Sequence, residues 1–130
     1  MNEMKKRILI VEDAPYMREM LVEMLEAQGS DYDVVGIAVN GKEAVEKYKA
    51  LKPDIVTMDL VMEVMDGIQA IEEIKKDDQK AVILVISALG TPEYRDAAMR
   101  AGADGYLWKP FTVKNLTDEL TKLVVEHQTK

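Results

Sequence analysis

Five side chains able to do chemistry stand at the ends of apolar runs. Glu12 and Asp13 follow "RILIV", Asp59 follows "DIVTM", Ser87 follows "AVILVI", and Lys109 follows "DGYLW". Any one of them alone is an ordinary turn or cap residue. Together they supply three carboxylates, a hydroxyl and an ammonium. Carboxylates held close repel one another, and a hard divalent cation with oxygen ligands relieves that repulsion. Mg²⁺ suits such a set, because it accepts one or two carboxylates and keeps positions for water and a phosphate oxygen; Mn²⁺ shares the ligand preference. Lys109 adds a point charge and Ser87 a donor for a phosphoryl group. Asp59 then has the attributes of a carboxylate nucleophile that attacks phosphorus and becomes an acyl phosphate. Such a transfer needs in-line positioning and charge neutralisation rather than a strong general base.

The elements that must position these groups alternate along the chain. β-branched, apolar runs are expected as strands at Arg7–Glu12, Asp33–Ala38, Asp54–Asp59, Ala81–Ser87 and Asp104–Trp108. The first, third and fourth are apolar almost throughout, as parallel strands covered on both faces should be. Helical periodicity fills the gaps. Pro15–Gln28 places Met17, Met20, Leu21, Met24 and Leu25 in one stripe, expected as core, with Gly29 as a stop. "NGKEAVEKYKALKP" aligns Ala44, Val45, Tyr48 and Leu51, and "GIQAIEEIKK" aligns Ile68, Ile71 and Ile74. "TPEYRDAAMRAG" opens on a Thr91 cap with Pro92 in the first turn and closes on Gly102. The last helix starts from a Thr112 cap and repeats Leu116, Leu120, Leu123 and Val124. Five such (βα) units make a doubly wound α/β sheet, parallel, with right-handed crossovers and helices on both faces. Ligands of these sheets bind beyond the carboxyl ends of the strands. All five chemical groups therefore belong to one rim, and the second strand, expected at an edge, contributes none.

Composition narrows the alternatives. The 130 residues are read as one domain over 1–130, with a core from about 6 to 126. Cysteine is absent, which excludes disulfides, thiolate metal sites and thiol catalysis. A net charge of −7 argues against direct nucleic-acid binding. The apolar runs are too short to span a bilayer, and the opening "MNEMKKR" does not lead into a signal peptide. These features suit a cytoplasmic protein. The closing "EHQTK" is expected to fray, leaving His127 poorly placed as a ligand, and "KKDDQK" is expected to be a solvated helix end.

Four segments, "IVED", "DIVTMDLVMEVMDG", "ISA" and "GADGYLWKPF", resemble the response-regulator receiver domain, and the resemblance runs over essentially the whole chain. With "DAPYMREML" and no attached domain, it is most similar to the single-domain chemotaxis regulators of that family. The resemblance implies a flavodoxin-like (βα)5 fold with strand order 2-1-3-4-5. It makes Asp59 the phosphoacceptor, Asp13 a direct Mg²⁺ ligand, Glu12 a ligand through water, and the Val61 carbonyl a backbone ligand. Ser87 and Lys109 would hold the phosphoryl group, with the Lys109–Pro110 peptide bond cis. Tyr106 would be the aromatic switch that follows Ser87 and repacks the face made by the fourth helix, fifth strand and fifth helix. The implied partners are a sensor histidine kinase as phosphodonor and a downstream protein on that face. The chain is expected to be a monomer, with dimerisation on phosphorylation as the variant outcome. Trp108 shares strand parity with Tyr106, which puts it either on the output face or packed beneath a helix.

Three features bear on how this chain departs from or tunes the family pattern. Glu12-Asp13 replaces a pair of aspartates, moving one carboxylate outward. Glu63 stands where the family usually has proline; a solvated loop glutamate is the plainer reading, a loosened loop with altered metal affinity the sharper one. In the family the positions of Val61 and Leu89 flank the path of hydrolytic water; both are apolar here, which predicts self-dephosphorylation over minutes or longer.

Two other functions share parts of this pattern. A haloacid-dehalogenase-type phosphatase uses a nucleophilic aspartate with Mg²⁺, but needs a second aspartate where Val61 stands. An FMN binder of the same architecture needs a phosphate loop after the first strand, where "EDAPYM" puts carboxylates. Within the family, a free-standing regulator is expected; a phosphorelay intermediate and a receiver cut from a longer, for example transcriptional, regulator are the other forms.

Overall fold

The computed structural model describes residues 5–128. Strands and helices alternate as β1 (Lys6–Val11), α1 (Pro15–Leu25), β2 (Tyr32–Ala38), α2 (Gly41–Leu51), β3 (Ile55–Met58), α3 (Gly67–Asp77), β4 (Ile83–Ser87), α4 (Pro92–Ala101), β5 (Gly105–Trp108) and α5 (Val113–Gln128). All strand pairs are parallel, and the sheet order is β2-β1-β3-β4-β5, as expected.

Period-two alternation divides the strands between two cores. Leu9, Val11, Val56, Met58, Ile83 and Val85 point to one side, against Ala44 and Tyr48 of α2, Ala70, Ile71 and Ile74 of α3, and Ala98 of α4. Ile8, Ile10, Ile55, Leu84 and Ile86 point to the other, against Leu21 and Leu25 of α1 and Leu116, Leu120 and Leu123 of α5. β3 and β4 are buried along their whole length. β2 pairs only with β1 and is half-buried, and its Val35 is the extra residue where the register shifts.

Several local expectations are corrected. α1 ends at Leu25 rather than Gln28, because the Ser30 hydroxyl donates to the Leu25 carbonyl while accepting from the Tyr32 N–H. Met17, Met20 and Met24 are all half-buried rather than core, and Met17 and Met24 pack against the core from that position. Thr91 occupies the cap position of α4, but its hydroxyl makes no cap bond; Pro92 carries the helix start. Thr112 does cap α5, exchanging side-chain to backbone bonds with Asn115 at 3.0 Å each way. Glu126–Gln128 do not fray: they continue α5, and His127 Nε2 lies 3.5 Å from Asp104 Oδ1. Thr129 and Lys130 of the same stretch lie outside the described residues. Nor is "KKDDQK" merely solvated. Lys75 pairs with Asp104 at 3.2 Å, Asp77 with Lys49 at 3.2 Å, and Asp78 accepts from the Tyr48 hydroxyl at 2.8 Å.

Candidate functional site

Glu12, Asp59 and Lys109 each stand one residue beyond a strand and Ser87 is the last residue of β4, and the sheet itself places them. The Glu12 N–H donates to the Ala38 carbonyl, the Asp59 N–H to Val11, and the Lys109 N–H to Ser87, at 2.9–3.0 Å. Each backbone is thus still held by a neighbouring strand while its side chain has passed the end of the core. Parallel pairing of β1, β3, β4 and β5 brings these ends to the same edge.

Glu12 is almost wholly buried, yet both its oxygens are satisfied. Lys109 Nζ donates to Oε1 at 2.9 Å and the Ala14 N–H to Oε2 at 3.2 Å. Asp59 is buried too; its Oδ1 accepts from the Leu60 N–H at 2.9 Å and lies 3.8 Å from Lys109 Nζ. Burial, reinforced by the charge of Glu12, pushes the Asp59 carboxyl up to about 6, against the pull of Lys109 and the Leu60 N–H. Asp13 is exposed, and one oxygen from each of Glu12, Asp13 and Asp59 falls within 4.8 Å of the others. Three carboxylates against one ammonium leave negative charge uncompensated, and an all-oxygen donor set partly open to solvent fits a hard divalent cation.

Ser87 is fully buried, and its Oγ accepts from the Leu89 N–H at 3.1 Å. The Tyr106 hydroxyl donates to the Leu89 carbonyl at 2.6 Å, and burial raises its phenol above the ordinary value. The Trp108 ring centroid lies 5.1 Å from that of Tyr106, but Trp108 itself is 41% exposed and borders Gly90. The shared parity holds, with the two rings side by side: Tyr106 is buried, and Trp108 lies at the surface beside it rather than packed beneath a helix. Lys109–Pro110 is cis.

The loop after Asp59 has its own anchors. Gly67 donates its N–H to the Leu60 carbonyl at 2.9 Å, and a Cβ at Gly67 would fall 2.7 Å from Leu60 Cα, so the turn into α3 has room only for glycine. Val61 and Glu63 are exposed, and the Glu63 carboxylate has no ion pair or hydrogen bond among the described residues. Sequence reasoning missed Arg18, whose guanidinium donates to the carbonyls of Glu12 and Asp13 at 3.2 and 3.0 Å and braces the acidic turn. Its place in the first turn of α1 was the available signal.

Residues 8–121 match the family model described as the response regulator receiver domain, and the chain belongs to that family. It is 50% identical over 120 residues to the chemotaxis protein CheY of Thermotoga maritima, covering 92% of this chain and 98% of that protein. Identity to the chemotaxis protein CheY of Bacillus subtilis is 44% over 119 residues, with 92% and 98% covered. Among solved structures it is similar to the CheX-CheY-BeF3-Mg²⁺ complex from Borrelia burgdorferi, with a TM-score of 0.86, 30% identity, and 91% and 88% of the two chains covered. The protein is therefore a receiver domain of a two-component response regulator with CheY-like relatives, a phosphoacceptor by class rather than an enzyme turning over an outside substrate.

Proposed function

We propose that Asp59 is the phosphoacceptor and that its modification switches the α4–β5–α5 face toward a downstream protein. The observation that supports this best is the placement of Asp59: buried at the sheet rim, 3.8 Å from Lys109, with Glu12 and Asp13 oxygens within 4.8 Å. The attacking Asp59 oxygen forms a bond to phosphorus as the P–N bond of a kinase phosphohistidine, protonated on its other ring nitrogen, breaks and neutral imidazole leaves. Lys109 then has a new anionic partner and Ser87 a new acceptor for its hydroxyl.

Asp13, Asp59 and the Val61 carbonyl would hold Mg²⁺ directly, with Glu12 acting through water and Mn²⁺ able to substitute. When bound, the cation neutralises charge on the phosphoryl oxygens. The phosphatase alternative has no support at position 61, where an exposed valine stands in place of an acid/base carboxylate. The same side chain, together with Leu89, offers hydrolytic water no polar partner, so the acyl phosphate should persist for minutes or longer. A cytoplasmic location with a histidine kinase donor fits a fold whose described helices include none long and apolar enough to cross a membrane.

Incubation with Mg²⁺ and acetyl phosphate, followed by intact mass measurement, tests the assignment. One phosphoryl group should be gained by the parent and none by Asp59→Asn. An equal gain in the variant would reject Asp59, and decay within seconds would reject the slow-hydrolysis reading.

A further inference from the structure

The loop between β3 and α3 contains a turn that its own residues do not explain. The Met65 N–H donates to the Glu63 carbonyl at 2.8 Å, closing a three-residue turn around Val64, whose φ is +71°. A γ-turn with a left-handed centre is strained, and a β-branched residue is poorly suited to it. The Val64 side chain is 76% exposed, so no packing of its own offsets the strain. A conformation of this kind persists only where the surroundings hold it.

What holds it comes from another element. The Gly41 N–H, in the first residue of α2, donates to the Met65 carbonyl at 2.9 Å. Helix geometry gives the first N–H groups no partner inside the helix, so this donor is free to reach outward. Asn40 fixes its direction: its side chain accepts from the Glu43 N–H at 2.8 Å, while Glu43 Oε1 accepts from the Val39 N–H at 3.1 Å. Gly41 is buried with no left-handed backbone, so conformation does not demand glycine there. Space does. A Cβ at Gly41 would lie 2.8 Å from both the carbonyl carbon and Cγ of Met65, and closer still to the carbonyl oxygen.

We propose that Gly41 is a positioning residue of the metal site: its N–H is the strut that holds the strained turn at Val64 and, through the loop, sets the Val61 carbonyl. This rests on the metal assignment above. A side chain at position 41 displaces Met65, the turn moves outward, and the carbonyl three residues upstream moves with it.

The experiment titrates Mn²⁺ into the full chain and counts free ion by its electron paramagnetic resonance signal. The Gly41→Ala variant should bind at least about fivefold more weakly than the parent while keeping a native circular-dichroism spectrum, although alanine is the better helix former. Combining it with Val64→Gly should restore affinity to within about twofold, because a relaxed turn yields to the new methyl without carrying the loop along. A folded Gly41→Ala with parental affinity overturns the proposal. Amide exchange in the unmutated protein gives a second test that needs no folded variant: the Gly41 N–H should exchange as slowly as the interior amides of α2, and rapid exchange overturns the strut. Asp13→Asn separates the two levels of inference. Parental Mn²⁺ affinity in that variant removes the metal assignment itself; lost affinity there with retained affinity in Gly41→Ala removes the strut alone.

Discussion

Lys109 is bonded to Glu12, at 2.9 Å, and stands off from Asp59 at 3.8 Å. The ammonium thus rests on Glu12 rather than on Asp59, the proposed phosphoacceptor. Both partners are withdrawn from water, with side-chain exposures of 17% and 2%. Removing one member of such a pair leaves the other buried without its counter-charge. Lys109→Met and Glu12→Gln should each destabilise the protein, and their double-mutant cycle should show a coupling of about 1–3 kcal/mol by urea denaturation. The fully exposed Lys114–Asp118 pair, also at 2.9 Å, should show no measurable coupling, because solvent screens it.

Asp59 should make stability depend on pH. An acid whose pKa is raised on folding, here from 3.8 to about 6, holds its proton more tightly in the folded state. Stability contributed by that proton is present below pH 4 and is lost as pH rises through 6. Asparagine carries no such titration. In metal-free buffer Asp59→Asn should match the parent near pH 4 and exceed it at pH 7 by on the order of 2 kcal/mol. Thermal melts across this range check the sign; an advantage that shrinks as pH rises contradicts it.

Thr57 is fully buried in β3, and its hydroxyl has no partner among the described residues. An unsatisfied buried hydroxyl costs its desolvation without a bond in return. Thr57→Val, nearly the same in shape, should stabilise the fold by about 1 kcal/mol, measured by urea denaturation.

The Tyr106 hydroxyl ties β5 to the β4–α4 loop through the Leu89 carbonyl. Tyr106→Phe should cost about 1 kcal/mol in the unmodified state. Trp108, the only tryptophan, lies against both Tyr106 and Gly90. Its fluorescence should change on adding Mg²⁺ and acetyl phosphate in the parent and remain constant in Asp59→Asn. An unchanged signal in a parent shown by mass to be phosphorylated would place the conformational response elsewhere.

Glu63→Pro should leave Mn²⁺ affinity within about twofold, since the Glu63 side chain is exposed and makes no ion pair or hydrogen bond among the described residues. A larger change would revive the reading in which Glu63 loosens the loop.

The sequence determined the alternation of strands and helices, because apolar period two and period 3.6 are local properties that each segment writes for itself. It also determined which residues stand at strand ends, since Asp59 and Glu12 interrupt runs that are otherwise apolar. It misplaced the end of α1 and the order of the C-terminal turn, and it placed the Thr91 cap and Pro92 of α4 correctly but expected a cap bond that Thr91 does not make. At the first two, the outcome rested on Ser30 and on the contact of His127 with Asp104, side chains whose partners are set by packing. Tertiary structure alone decided that Lys109 rests on Glu12, 97 residues away. It alone joined Gly41 to Met65, because a bond between the start of α2 and the loop after β3 depends on strand order and crossover geometry. Spacing along the chain records the parts of such a site, and the distances that set its charge state arise only when the strands are side by side.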